Sequence, residues 1–185
     1  MKKILIGTVG EIVAADNKLV AGRDLNQSIG RYMIGVGAII KHPSQDKILI
    51  TKRDKTDFQK NAWELVYGRI DQDEELIEGL LREIREELGP IKIKIERVIR
   101  LWHFYRGEKR AETEIHGVTF VCQALDTNIK LSAEHSIYDW VSPQKALKKI
   151  TLKGIKHDIR QFIHDNSSQQ QGVYLSDKNH DLIHL

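Results

Sequence analysis

Between Val66 and Pro90 the chain reads VYGRIDQDEELIEGLLREIREELGP, and this stretch restricts the fold more than any other. At about 100° of rotation per residue, Ile77, Leu80, Leu81, Ile84 and Leu88 fall on one stripe, the spacing of a helix laid against a sheet. A different face carries Glu83, Glu86 and Glu87 at i, i+3 and i+4. Carboxylates so placed repel one another unless a cation sits among them, and the natural partner of hard oxygen ligands is Mg2+ or Mn2+. Gly68 stands where the preceding strand would end, and its missing Cβ permits a close backbone approach to whatever lies over the carboxylates. Gly89 occupies the position of a helix-terminating C′ glycine.

The segments around this helix alternate or run apolar as strands do. Tyr32 to Ile40 (YMIGVGAII) and Lys47 to Arg53 (KILITKR) flank a polar loop and are expected to be neighbouring strands. Ile91 to Arg106 and Glu114 to Leu125, separated by the charged GEKRAET, predict a second hairpin. IYDWVS reads as a short strand and Pro143 as a helix start. A last helix presents Leu152, Ile155, Ile159, Phe162 and Ile163 on one side. One long helix set among more numerous strands predicts an α/β or α+β sandwich.

With 41% hydrophobic residues in 185, the chain suffices for one domain with a proper core rather than two. Lys plus Arg is 29 against 26 for Asp plus Glu, a net charge of +3, so no broad basic field argues for stable nucleic-acid binding. Cys122 is the single cysteine; it excludes an intrachain disulfide and fits a reducing cytoplasm. The opening MKKILIGTVG starts as a signal peptide does, but Glu11 interrupts the apolar run. GEIVAADNKLVAG reads instead as two short strands joined at Asp16-Asn17, making residues 1–31 a β-hairpin extension. Residues 164–185 read as a polar tail, mobile to at least Gly172. No run approaches the 18 or so uncharged apolar residues of a membrane span, so no membrane partner is expected.

The order Gly68, five residues, Glu74, seven residues, then Arg82-Glu83-Ile84-Arg85-Glu86-Glu87-Leu88-Gly89 resembles the Nudix box, G x5 E x7 R E U x E E x G U, with U a bulky aliphatic residue. Every fixed letter is present, and only Pro90 departs, in the last aliphatic place. Seven fixed letters at roughly 7% each coincide by chance about once in 10⁸ starting positions, which rules out coincidence as the explanation.

The resemblance implies an α/β/α sandwich with a mixed sheet and a central acidic helix, over residues 32–163, and a MutT-like pyrophosphohydrolase activity. Glu83, Glu86 and Glu87 would hold Mg2+ or Mn2+ with the carbonyl of Gly68, while Glu74 and Arg82 would form a supporting ion pair. The catalytic set adds Glu134 as a candidate general base, with Glu83, Glu112 and Glu114 as alternatives, and Arg53 is a candidate phosphate contact. The expected substrate is a nucleoside diphosphate linked to another moiety. SAEHSIYDWVSPQKAL is similar to the matching segment of enzymes acting on nucleoside triphosphates, whereas WELVYGRID is reminiscent of ADP-ribose and nucleotide-sugar pyrophosphatases. Triphosphates are favoured. A catalytically silent nucleotide sensor is the alternative of another class, although such a domain would be free to lose box acids. An isopentenyl diphosphate isomerase would need a cysteine upstream of the box, and there is none. N-terminal additions in the family often serve dimer contacts, which leaves a homodimer open. His135 is read as exposed or substrate-contacting, and Trp102, Trp63 and Trp140 as packing residues with base stacking as the alternative.

Overall fold

The structure is a computed structural model that describes residues 31–54 and 60–168, together with the backbone of four short strands at 5–6, 12–13, 174–176 and 182–184. Strands β1 (Leu5–Ile6) and β2 (Ile12–Val13) form a separate antiparallel pair, Leu5 opposite Val13. The turn expected at Asp16-Asn17 lies outside the described residues.

The main sheet is mixed. Its strands are β3 (Met33–Lys41), β4 (Ile48–Arg53), β5 (Trp63–Glu64), β6 (Val66–Arg69), β7 (Ile93–Tyr105), β8 (Glu114–Ala124), β9 (His135–Val141), β10 (Tyr174–Ser176) and β11 (Leu182–His184). The order along the sheet is β11-β10-β7-β8-β3-β4-β5, with β6 paired to β3 and β9 to β4. β7 and β8 form the expected antiparallel pair, and β3 runs parallel to β8 over nine residues, Met33 opposite Ile115 to Lys41 opposite Gln123. β3 and β4 meet only at Lys41 and Ile48 because β6 takes most of the other edge of β3, so they are neighbours at one end alone. The C-terminal segment expected to lie outside the domain contributes β10, parallel to β7, and β11 beyond it. Of the tail read as mobile to at least Gly172, residues 164–168 are helical and residues 169–172 lie outside the described residues.

Strand alternation builds two cores, one on each face. Val36, Ala38 and Ile40 of β3 and Phe120 and Cys122 of β8 turn toward helix α1 (Leu76–Leu88), meeting Leu80, Ile84 and Leu88. Ile39 and Val121 turn to the opposite face, under α2 (Pro143–Lys149) and α3 (Lys153–Ser168), where they meet Ala146, Ile155, Ile159 and Phe162. This is the α/β/α sandwich. The stripe of α1 differs from expectation at one end: Ile77 is 40% exposed, and Leu76 packs on the core in its place. At the first turn the helix has just left its loop, and the stripe rotates by one residue toward the sheet.

Candidate active site

Helix α1 begins at a capping box, with the Glu75 amide donating to the Glu78 carboxylate, and ends at Gly89, whose φ of 74° suits the left-handed region that glycine tolerates. Between these ends Arg82 organises the loop and the helix. Its Nε and Nη2 donate to the two oxygens of Glu74 at 2.8 Å each, and Nη2 also reaches the Arg69 carbonyl at 2.8 Å. The Asp71 amide donates to Glu74 at 3.0 Å. Held this way, the Glu74 carboxyl is lowered to about 2, first by the Arg82 hydrogen bonds and then by the Asp71 amide. The paired carboxylates in turn raise the Arg82 guanidinium.

The same guanidinium extends to two further acids of the helix. Nη1 of Arg82 lies 3.0 Å from Glu83 Oε1 and 3.2 Å from Glu86 Oε2. Glu83 Oε1 also accepts the Arg69 amide at 3.0 Å. A cation therefore does sit among these carboxylates, and it is the chain's own. Gly68 is the cradle for Glu83: a Cβ on residue 68 would fall 1.8 Å from the Glu83 carboxyl carbon, so any larger residue would displace that carboxylate.

Glu87, one turn on from Glu83, is in a different position. It is 6% exposed, accepts a hydrogen bond from the Tyr67 amide, and leaves Oε2 with no hydrogen-bond partner among the described residues. Burial raises its carboxyl well above the ordinary range, and the nearby charges of Glu64 and Glu83 raise it further. Around it stand residues from three strands. His135 Nε2 lies 2.9 Å from Glu64 Oε1 and 3.9 Å from Glu87 Oε2. Arg53 Nη1 lies 3.3 Å from Glu64 Oε1 and 3.9 Å from Glu134 Oε2. The loop that delivers Glu134 and His135 is fixed to the helix end: the Lys130 amide donates to the Leu88 carbonyl and the Ser132 amide to the Glu87 carbonyl.

The structure thus brings Gly68, Glu74, Arg82, Glu83 and Glu86 together on one face of α1, and places Arg53, Glu134 and Glu87 one turn further along that face. Glu114 belongs to neither; it pairs with His103 and His116 on the β7–β8 pair. Glu112 lies exposed in a short 3-10 turn, Ala111–Thr113. His135, read as exposed, is only 4% accessible and bonded to Glu64, because it is the first residue of β9 and turns inward against β5. Glu64 had not been singled out. Its signal was one charge in the apolar run AWELVYG, four residues before Gly68. Trp102 is buried and donates to Thr119 at 3.0 Å, so the stacking alternative is withdrawn for it. Cys122 is a core thiol, pushed up to about 12 by burial.

The donor set fits a hard divalent ion: all ligating candidates are oxygens, and Glu87 presents one that is buried and unpartnered. The NUDIX domain family model matches residues 31–165. Nucleoside triphosphatase NudI of Escherichia coli O17:K52:H18 is 30% identical over 110 residues, covering 50% of this chain and 77% of that protein. A MutT protein from Methanosarcina mazei Go1 superposes with a TM-score of 0.62 at 27% identity, covering 76% of this chain and 99% of that one. A NUDIX hydrolase from Nitrosomonas europaea superposes with a TM-score of 0.67 at 18% identity, over 80% and 79%, which speaks to the fold alone.

Proposed function

The chain belongs to the Nudix hydrolase family, whose members act on phosphoric anhydrides and depend in general on divalent metal, and on that premise we propose that it hydrolyses a nucleoside triphosphate-class substrate with Mg2+ or Mn2+. The observation that carries the reading is the unpartnered, buried Oε2 of Glu87 beside Glu83 and Gly68. An ionised carboxylate left in that state is costly unless a cation meets it. Glu83, Glu86, Glu87 and the Gly68 carbonyl would hold the ion; when bound, it offsets diphosphate charge and makes bound water more acidic.

The chain's own residues account for the rest. Arg82 and Glu74 fix the loop that follows Gly68, through the Arg69 carbonyl and the Asp71 amide. Arg53, held by Glu64 and close to Glu134, presents positive charge where phosphate oxygens would arrive. Glu134 is the candidate base that takes a proton from water as the water oxygen bonds to phosphorus and the anhydride P–O bond breaks. The name of the NudI relative supports triphosphates over ADP-ribose or nucleotide sugars.

A panel of nucleoside triphosphates, ADP-ribose, nucleotide sugars and diadenosine polyphosphates, with and without Mg2+ or Mn2+ in ¹⁸O-labelled water, tests this. Metal-dependent cleavage strongest for triphosphates is expected, and the label marks the attacked phosphorus. A preference for ADP-ribose or nucleotide sugars overturns the substrate class. Silence across the panel from folded, metal-binding protein favours a nucleotide sensor.

A further inference from the structure

On the α1 side of the sheet, at the end of the β7–β8 pair, three ligand-bearing side chains converge apart from the acidic site. His103 of β7 and His116 of β8 are directly opposite one another, and Tyr105 is opposite Glu114 in the next pair but one along the same face. His103 Nε2 lies 2.9 Å from Glu114 Oε1, and His116 Nε2 lies 3.4 Å from the same oxygen. All three ligand atoms fall within 4.8 Å of one another.

We propose that His103, Glu114 and His116 form a second metal site, selective for Zn2+ and similar late first-row divalent ions, with water in the fourth position. The geometry carries this. With bonds of about 2.0–2.1 Å, a tetrahedral ion spaces its ligands about 3.3 Å apart, so the two measured separations straddle the required edge. Two imidazoles and one carboxylate are a donor set that suits zinc and that Mg2+ disfavours, the reverse of the all-oxygen set on α1. The rings are also positioned from outside. His103 and His116 stack with centroids 4.4 Å apart, Tyr32 meets His116 edge-on at 5.0 Å, and Tyr105 meets His103 edge-on at 5.2 Å. Tyr105 also donates to Glu114, the outer contact that orients a ligating carboxylate. Each ligand rests on a strand of the β7–β8 ladder, so little ordering remains to be done on binding. The ion would tie the two strands together at their open end.

The test is calorimetric titration of the full chain with Zn2+ in excess Mg2+, paired with Co2+ absorption as a probe of tetrahedral nitrogen ligation. One Zn2+ per chain is expected, with an intense visible Co2+ band that competing Zn2+ abolishes. His103→Ala with His116→Ala should weaken Zn2+ by more than about tenfold and remove the Co2+ band, while Mg2+-dependent hydrolysis and the zinc-free melting temperature stay as in the parent. Glu114→Gln should weaken Zn2+ and leave a distorted band. No Zn2+ uptake, uptake indifferent to the paired histidine substitution, or uptake lost in Glu86→Gln instead would each overturn the assignment.

Discussion

Glu83 and Glu87 are the same residue one helical turn apart, and the fold treats them oppositely. Glu83 meets the Arg82 guanidinium and the Arg69 amide, so its charge is answered within the chain. Glu87 is buried against β6 and β9, receives one amide hydrogen bond, and faces a further carboxylate, Glu64. Motif letters alone make the two equivalent. The difference teaches that one turn of a single helix face is braced by the chain's own guanidinium, while the next turn buries a carboxylate oxygen without a hydrogen-bond partner among the described residues, which is where the proposed cation would bind.

The largest effect is expected at the second of these turns. Glu87→Gln should lower the hydrolytic rate by about 10²-fold or more, because it removes an anionic ligand, yet should not lower the melting temperature, because it also removes the buried charge. Rates and melting curves on the same sample check this, and a variant that is both active and destabilised would reverse the comparison. Arg82→Ala attacks the brace. Loss of its charged hydrogen bonds should cost about 2–3 kcal/mol in denaturant unfolding, and Mg2+ should raise stability more in the variant than in the parent, the ion then replacing the missing guanidinium. If Mg2+ stabilises both equally, Arg82 and the ion do not share the same carboxylates.

A smaller effect is expected at Glu134→Gln, with kcat reduced about tenfold, between parent and Glu87→Gln. Full activity would return proton removal to Glu83 or to water. The smallest effect sharpens the brace alone. Glu74 has its carboxyl lowered from 4.5 to about 2 by Arg82, so its contribution is fully present above pH 4.5 and is lost as the pH falls toward 2. The melting temperature of Glu74→Gln should therefore lie below that of the parent at neutral pH and converge with it near pH 2. A gap that does not change with pH would show that the pair contributes by packing.

Local pattern carried much of this. Strands β3, β4, β7, β8 and β9, the three helices, the C-terminal Gly89 and the grouping of Gly68 with Glu83 were legible because periodicity and backbone freedom are properties of short segments. The helix stripe failed at Ile77, where the loop sets the entry angle, and Leu81 lies half-buried at its margin. The pairing of β3 with β6 and β8, and the addition of β10 beside β7, were not legible, since strands with similar alternation compete for the same edge.

The sequence by itself determined the box: which carboxylates share a helix, which glycine lies beneath them, and that the donors are oxygens. Tertiary structure decided which of those carboxylates is answered by Arg82 and which keeps a buried oxygen without a hydrogen-bond partner among the described residues. It also decided that His135 and Glu64 join Glu87, and that His103, Glu114 and His116 meet across two strands. The physical reason is range: helical spacing fixes neighbours within a turn, whereas desolvation and charge pairing depend on partners that only strand register brings within a few ångströms.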